Sequence, residues 1–426
     1  KRTYKKVKAA RRALLKRWKR QKLNRKLRKR ISLLTEQSQD YANQLARQNW
    51  HAFCDKLQGT LSTKKTWHLL RTLLATQASK AAQKKHLQRL IRNYAGTEEH
   101  LLEELQKKLC GDVPTGASIH AKEYAGALNT ELDRPFSLAE LHTALTKLTR
   151  NTSPGIDRIV NKHLRNLPHQ ATTALLRYYN DCWDKGELPA VWKHSEIIMI
   201  PKPNKPVGIE NLRPISLTSC VGKLFEHIMH DRLTQYLEDS GHLPDTMFGF
   251  RQHLSTHDVL LLLKEDFLDH LTHRRKYSIL GVDVKAAFDN VSHDAILNNL
   301  EGVGCGIRTY TYVRNFLTDR TATVGICNMR SKSFHLLKKG TPQGSIMSPL
   351  LFNVAMINLP KILDKIPDLR HAIYADGITL WTRASNTGRQ ETCLQTTVDA
   401  IERYLRNCGL CCAPEKSEHL VLEART

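Results

Sequence analysis

The stretch Ala372-Ile373-Tyr374-Ala375-Asp376-Gly377-Ile378-Thr379-Leu380-Trp381 decides how this chain is read. Asp-Gly between two apolar runs is the strongest short hairpin signal, so the sequence predicts two strands joined by Asp376-Gly377 as a two-residue loop. Such a turn lifts the Asp376 carboxylate to the tip of a rigid element, a suitable place for a metal ligand. Asp-Gly hairpins are also ordinary architecture, and the surrounding sequence has to decide between the two readings. Upstream, Tyr277-Ser278-Ile279-Leu280-Gly281-Val282 reads as a buried strand that ends at Asp283. A carboxylate at a buried strand end is costly to desolvate unless it is paired or binds metal. Asp283 and Asp376 on adjacent strands of one sheet would suit a site where two divalent ions bridge carboxylates during phosphoryl transfer.

Between them lies Lys339-Gly340-Thr341-Pro342-Gln343-Gly344-Ser345-Ile346-Met347-Ser348-Pro349-Leu350-Leu351-Phe352-Asn353. Its Gly- and Pro-punctuated half reads as a loop able to approach a substrate closely, and Ser348-Pro349 opens an apolar helix with Pro in a favoured first-turn position. Alone, this is only a loop and a helix start. Together, the strand-end Asp, the Gly-Thr-Pro-Gln-Gly-Ser loop and the Tyr-Ala-Asp hairpin, in this order and spacing, resemble the reverse transcriptases of LINE-like non-LTR retrotransposons. The resemblance runs from about residue 150 to the end. Ser153-Pro154-Gly155-Ile156-Asp157 is similar to the family's first fingers motif. Ile200-Pro201-Lys202-Pro203 with Asn211-Leu212-Arg213-Pro214-Ile215-Ser216-Leu217 resembles the fingers strands over the incoming nucleotide, and Phe248-Gly249-Phe250-Arg251 the block that follows. Gly409-Leu410 with Pro414-Glu415-Lys416-Ser417-Glu418 resembles the motif that closes the palm.

The resemblance implies an α+β fold: a right-hand polymerase with fingers and palm, the palm built on an antiparallel sheet backed by helices, preceded by a basic all-helical region. It implies that Asp283, Asp376 and the carbonyl of Val284 hold two Mg2+ ions, and that Lys416 lies near the departing pyrophosphate as a proton donor. Lys202 and Arg213 are expected on the triphosphate, a role that suits the fixed donor fork of Arg. Without the family, both read equally well as solvated surface charges. Phe288 would be the bulky gate that excludes a ribose 2′-hydroxyl, while Gln343 and Gly344 would line the nucleotide pocket. Asp289 reads as a cap or turn residue rather than a third ligand. The implied partners are an RNA template, a DNA primer and deoxynucleoside triphosphates, with no small-molecule organic cofactor.

One position departs from the pattern. The family carries Asp where this chain has Gly377, and there the second hairpin acid helps coordinate the metal at the primer end. Glycine suits the positive φ of a tight hairpin loop, so the expectation is a preserved fold with severely reduced or absent catalysis. Three readings follow: the RNA-directed DNA polymerase domain of a non-LTR retroelement, a catalytically dead nucleic-acid-binding remnant, and an RNA-dependent RNA polymerase or intron-encoded maturase that shares the palm. Phe288 at the gate argues against RNA synthesis. The long basic amino-terminal region and the Tyr-Ala-Asp hairpin fit the retroelement better than the maturase.

Composition points to nucleic acid independently. Lys and Arg number 66 against 41 Asp and Glu, giving a net charge of +25 and a sequence pI of about 9.7, which implies a salt-sensitive attraction to phosphate backbones. Residues 1 to 30 contain 17 Lys or Arg and no Asp or Glu. Leu14, Leu15 and Trp18, then Leu23, Leu27 and Ile31, give this basic helix a narrow apolar stripe; nucleic-acid binding, an anionic membrane surface and nuclear import all suit it. Helical spacing continues to about residue 108 through Trp50, Phe53, Trp67, Leu69, Leu70, Leu73, Leu74, Leu87, Leu90 and Ile91, which read as packing surfaces.

Gly111-Asp112-Val113-Pro114-Thr115-Gly116 is the clearest break, and Ser137 with Glu140 forms a capping-box signature before a new helix. The expected division is therefore 1–117, a basic helical nucleic-acid-binding linker, and 118–426, the reverse transcriptase domain with core motifs over about 181–426. The chain starts at Lys1 and stops just after the palm-closing motif, so it is read as a fragment without a thumb. No apolar run approaches the ~20 residues of a membrane span, and no membrane partner is expected. No secretory leader is visible, and an intracellular, nuclear location with a cytoplasmic ribonucleoprotein stage is expected. Ten scattered cysteines fit reduced thiols. Cys408, Cys411, Cys412 and His419 have a zinc-like look but fall inside the palm-closing segment, and His253 and His257 read as ordinary polar residues.

Overall fold

A computed structural model describes residues 2–20, 24–54, 80–110, 123–148, 152–202, 205–206, 208–271, 277–336, 339–382 and 386–422. Two compact units emerge, Lys1–Ser79 and Lys80–Thr426. In the first, the helices Arg2–Arg20 and Arg25–Cys54 pack on each other. Among the described residues, Val7, Arg11, Leu14 and Leu15 on one helix, and Leu27, Ile31, Leu34, Ser38, Ala42 and Leu45 on the other, are sheltered, mostly three or four residues apart as the apolar stripe required. The expected stripe from Trp67 to Leu74 and the break at 111–116 lie outside the described residues, as does Pro203.

Among the described residues of the second unit, nine strands form: β1 (His194–Pro201), β2 (Leu212–Leu217), β3 (Tyr277–Asp283), β4 (Thr321–Ile326), β5 (Met329–Arg330), β6 (Phe334–His335), β7 (Leu369–Tyr374), β8 (Gly377–Thr382) and β9 (Glu418–Leu422). They form two sheets. One has the order β2-β1-β4-β5, with β6 also on β4; β1 and β2 are antiparallel, whereas β1 and β4 run parallel from His194 opposite Thr321. The other, in the order β7-β8-β3-β9, is antiparallel throughout. An α+β chain with an antiparallel palm sheet is therefore what is found. Helices Cys220–Asp239, His293–Gly302, Ile307–Leu317 and Ser348–Met356 share one core with Val282, Ile373, Ile378 and Leu380 of that sheet.

Along β1, half-buried and buried positions alternate at every residue, the period-two signature of a strand with one covered face. What covers it is the amino-terminal part of the unit. Leu87 and Leu90 of the helix Lys80–Asn93, and Leu101 and Leu105 of the helix Glu98–Cys110, share a core with Ile197, Met199, Leu212, Ala322, Val324 and Ile326. These two helices thus lie in the same compact unit, Lys80–Thr426, as the sheet they cover.

A second correction concerns the hairpin. Tyr374 pairs with Gly377, so the two-residue loop is Ala375-Asp376, one residue earlier than expected. The left-handed conformation falls on Ala375, at φ 55°, and Gly377 is an ordinary strand residue without positive φ. Glycine at 377 is thus not demanded by the turn.

Candidate active site

Asp283 ends β3 directly opposite Gly377, the first residue of β8. Beyond it, the Val284 N–H donates to the Asp376 carbonyl at 2.9 Å. Val284 and Asp376 therefore form a hydrogen-bonded pair, which makes Asp283 and Gly377 the close, non-hydrogen-bonded kind, with Cβ positions only ~5 Å apart. On the other side of β3, Ala413 N–H donates to the Asp283 carbonyl at 2.7 Å and Lys285 N–H to the Cys411 carbonyl at 2.9 Å. These two bonds bring the segment leading into β9 against the strand-end acid. The turn Pro414–Lys416 then aims the Lys416 ammonium at Asp283 Oδ2. Its pKa is raised by that hydrogen bond, against partial loss of hydration and with help from the negative charges of Asp283 and Asp376. Lys416 thus bonds Asp283, and the charge of Asp376, in the hairpin loop one residue before Gly377, acts on the same ammonium. Among the described residues no three His, Cys, Asp or Glu side chains gather as metal ligands, so the two acids stand as a pair.

The loop from Gly340 to Met347 is pinned along its length. Gly340 N–H donates to the Val291 carbonyl at 2.7 Å, Thr341 N–H to the Phe288 carbonyl at 2.7 Å, and Ser216 N–H on β2 to the Gln343 carbonyl at 2.8 Å. His293 Nε2 meets the Gly340 carbonyl at 2.7 Å. Positive φ at Gly340 (78°) and Gly344 (111°) makes both turns possible. Gln343 Nε2 donates to Asp289 Oδ1 at 2.9 Å. Loss of hydration raises the Asp289 carboxyl, opposed by the Gln343 hydrogen bond and by the charges of Lys108, Lys202 and Lys339. Asp289, read from sequence as a cap or turn residue, lies in the first turn of the short helix Ala287–Asn290 and also accepts from Gln343.

Lys202 sits where β1 runs out, its N–H on the Asn211 carbonyl at 2.8 Å and its ammonium on the Glu210 carbonyl at 3.4 Å. Arg213 lies exposed on β2 opposite Ile200. Phe288 is held edge-on to Phe250, ring centres 6.0 Å apart, and tilted on Phe352 at 5.5 Å, so its ring has little freedom to swing. Two contributions went unseen in the sequence. Lys108, from the helix Glu98–Cys110, reaches the Ile209 carbonyl at 2.7 Å and adds charge beside Lys202; nothing in its helical spacing signals that destination. Gly249 packs against the hairpin tip so tightly that a Cβ there would lie 2.2 Å from the Ala375 nitrogen; a glycine between two phenylalanines was its only sequence sign.

Residues 200–425 match a family model described as reverse transcriptase (RNA-dependent DNA polymerase). The chain is 31% identical over 289 residues to a probable RNA-directed DNA polymerase from transposon BS of Drosophila melanogaster, covering 66% of this chain and 30% of that protein. It is 28% identical over 295 residues to the RNA-directed DNA polymerase from mobile element jockey of the same species, covering 68% of this chain and 32% of that protein. The chain thus spans about a third of the length of these curated relatives. Among solved structures, an apo telomerase from Candida tropicalis is similar with a TM-score of 0.41 and 16% identity, over 61% of this chain and 57% of that one.

Proposed function

The chain belongs to the reverse transcriptase (RNA-dependent DNA polymerase) family, and from that premise we propose that it is the polymerising part of a non-LTR retroelement protein, extending a DNA primer on an RNA template with deoxynucleoside triphosphates. One observation carries the reading: the register that sets Asp283 against the β7–β8 hairpin, with the Lys416 ammonium in the field of both Asp283 and Asp376. A pair of carboxylates that already attracts a cation, made only of hard oxygen donors, suits Mg2+. Asp283, Asp376 and the Val284 carbonyl would hold the ions. Ions held there would supply the charge that activates the primer hydroxyl and neutralises the triphosphate.

The chain's own residues take the remaining roles. Lys202 and Arg213 would hold the triphosphate, Gln343 and Gly344 the nucleotide, and Phe288 would exclude the 2′-hydroxyl. Lys416, hydrogen-bonded to Asp283 and carrying its proton, would stand beside the leaving group. Nuclear copying at a DNA end fits the basic amino-terminal helices and is part of the proposal.

Gly377 favours a weakened form of the same activity. A carboxylate at 377 would stand opposite Asp283, and the chain lacks it. Restoring it is sterically simple, since a Cβ at 377 would meet nothing closer than the Tyr374 carbonyl at 3.5 Å and the backbone needs no positive φ. Mg2+-dependent primer extension on an RNA template, comparing the chain with Gly377→Asp, tests this. At least a tenfold faster extension by the variant, with an unchanged melting temperature, is expected; equal extension by both removes the reading of Gly377 as a lost ligand.

A further inference from the structure

Behind the pocket loop lies a carboxylate that none of the roles above uses. Glu226 projects from the helix Cys220–Asp239 and is 5% exposed. Its Oε2 accepts the N–H of Ile346 at 2.7 Å and that of Met347 at 3.4 Å. These amides close the loop and open the helix Ser348–Met356, whose N-cap Met347 has no side-chain cap of its own. An anion is favoured there by free N–H groups and by the helix dipole. Burial raises the Glu226 carboxyl, while the charge of Lys223, the Ile346 amide, the charge of Arg320 and the Met347 amide favour its ionised form. Arg320 in turn reaches Ser195 Oγ on β1 at 3.4 Å.

Gln343 and Gly344 therefore sit between two anchors outside the loop, while within it the Ser348 hydroxyl donates to the Pro342 carbonyl at 2.9 Å and the Ser345 N–H to the same carbonyl at 3.1 Å. On one side the Ser216 N–H holds the Gln343 carbonyl at 2.8 Å, and a Cβ on Gly344 would come within 3.1 Å of the Ser216 oxygen. On the other side, two and three residues beyond Gly344, stands Glu226.

We infer that Glu226 is a positioning residue of the nucleotide pocket: by holding the Ile346 and Met347 amides it sets the Gln343-Gly344 backbone, without touching the nucleotide. This rests on the nucleotide-pocket reading of that loop. The test uses the full chain loaded with RNA template and DNA primer, and titrates a fluorescent N-methylanthraniloyl dATP in Mg2+. Glu226→Gln, which keeps a carbonyl oxygen for the amides, is expected to bind within threefold of the unaltered chain. Glu226→Met, of similar volume but without an acceptor, is expected to bind at least tenfold more weakly while still melting cooperatively. Equal binding by the folded Met variant overturns the role given to Glu226, as does a Gln variant no better than Met. Absence of binding by the unaltered chain overturns the pocket reading and the inference with it. Should Glu226→Met not fold, Glu226→Asp, whose carboxylate falls one methylene short of the amides, replaces it: faster amide exchange confined to residues 344–348 together with at least tenfold weaker binding supports the inference, and unchanged binding overturns it.

Discussion

At the scale of single residues, the hairpin stores strain and depends on a missing side chain next door. Ala375 holds φ 55°, a conformation that costs a non-glycine residue about 1 kcal/mol. The tip is kept there by its neighbour. Phe248 N–H donates to the Ile373 carbonyl at 2.8 Å and Ile373 N–H to the Thr246 carbonyl at 2.7 Å, which clamps residue 249 onto the turn. A Cβ on Gly249 would meet the Ala375 nitrogen at 2.2 Å and its Cα at 3.0 Å, both backbone atoms that cannot rotate away. Gly249→Ala is therefore expected to shift Asp376, lowering primer extension by tenfold or more in the Gly377→Asp background, with a lower melting temperature; an unaffected rate would show that the hairpin tolerates the displacement. Ala375→Gly is expected to stabilise the fold by a few tenths to about 1 kcal/mol, since relief of the αL strain outweighs the added chain entropy. Urea unfolding measures that, and a loss of stability would deny the strain. The sequence placed the acid at the tip, yet it put the positive φ on Gly377. Propensity favours glycine there, but the pairing of Tyr374 with Gly377 assigns the loop to Ala375-Asp376.

Among elements, what was legible was local and what was missed was distant. The capping box at the start of the helix Leu138–Lys147 is present, with Ser137 and Glu140 exchanging hydrogen bonds. Its further use could not be seen: Glu140 also receives a forked pair of bonds from Arg232, 92 residues away, Nη2 to Oε2 at 2.9 Å and Nε to Oε1 at 2.5 Å. Arg232, 5% exposed at its side chain, fills its other donors with the carbonyls of Leu132, Arg134 and Pro135 and lies 4.5 Å above the Phe136 ring. Burial raises the Glu140 pKa, but Arg232 and the Ser137 backbone and hydroxyl outweigh it and bring the group from 4.5 down to about 2. A depressed carboxyl adds stability that is complete above its unfolded value and fades as pH falls from about 4.5 to about 2. At neutral pH Glu140→Gln is expected to cost about 3 kcal/mol, because it leaves the buried guanidinium without its charge partner. The gap in melting temperature between the two chains should then shrink as pH drops from about 5 towards 3. A gap that stays constant would mean that the Arg232 pair does not set the Glu140 titration.

For the whole molecule, the sheets follow the same rule of reach. The apolar run of β3 announced a strand, and the resemblance of Ile200-Pro201-Lys202-Pro203 to a fingers strand announced β1, but no local signal announces that β1 pairs in parallel with β4. The stripe Leu87, Leu90 and Ile91 was read correctly as a packing surface, although a stripe does not say what it packs against. Its partner is the β1–β4 sheet, and the compact unit that carries the motifs spans Lys80–Thr426. The consequence is thermodynamic. Leu101 and Leu105 are 0% exposed and Leu90 5%, and burying such side chains contributes ~1.5–3 kcal/mol each before entropy is counted. Removing both helices also uncovers Ile197, Met199, Leu212, Ala322, Val324 and Ile326 on one continuous sheet face. A loss of that size is comparable with the ~5–15 kcal/mol that holds an entire domain together. A chain cut to residues 80–426 is accordingly expected to melt cooperatively, while one cut to 118–426 aggregates or shows no cooperative melt. Calorimetry on the two, with Leu101→Ala in the longer chain as a graded intermediate about 2–5 kcal/mol less stable, reads this directly. If the 118–426 chain melts at the same temperature as 80–426, the two helices are an appendage, and the fingers face needs no cover.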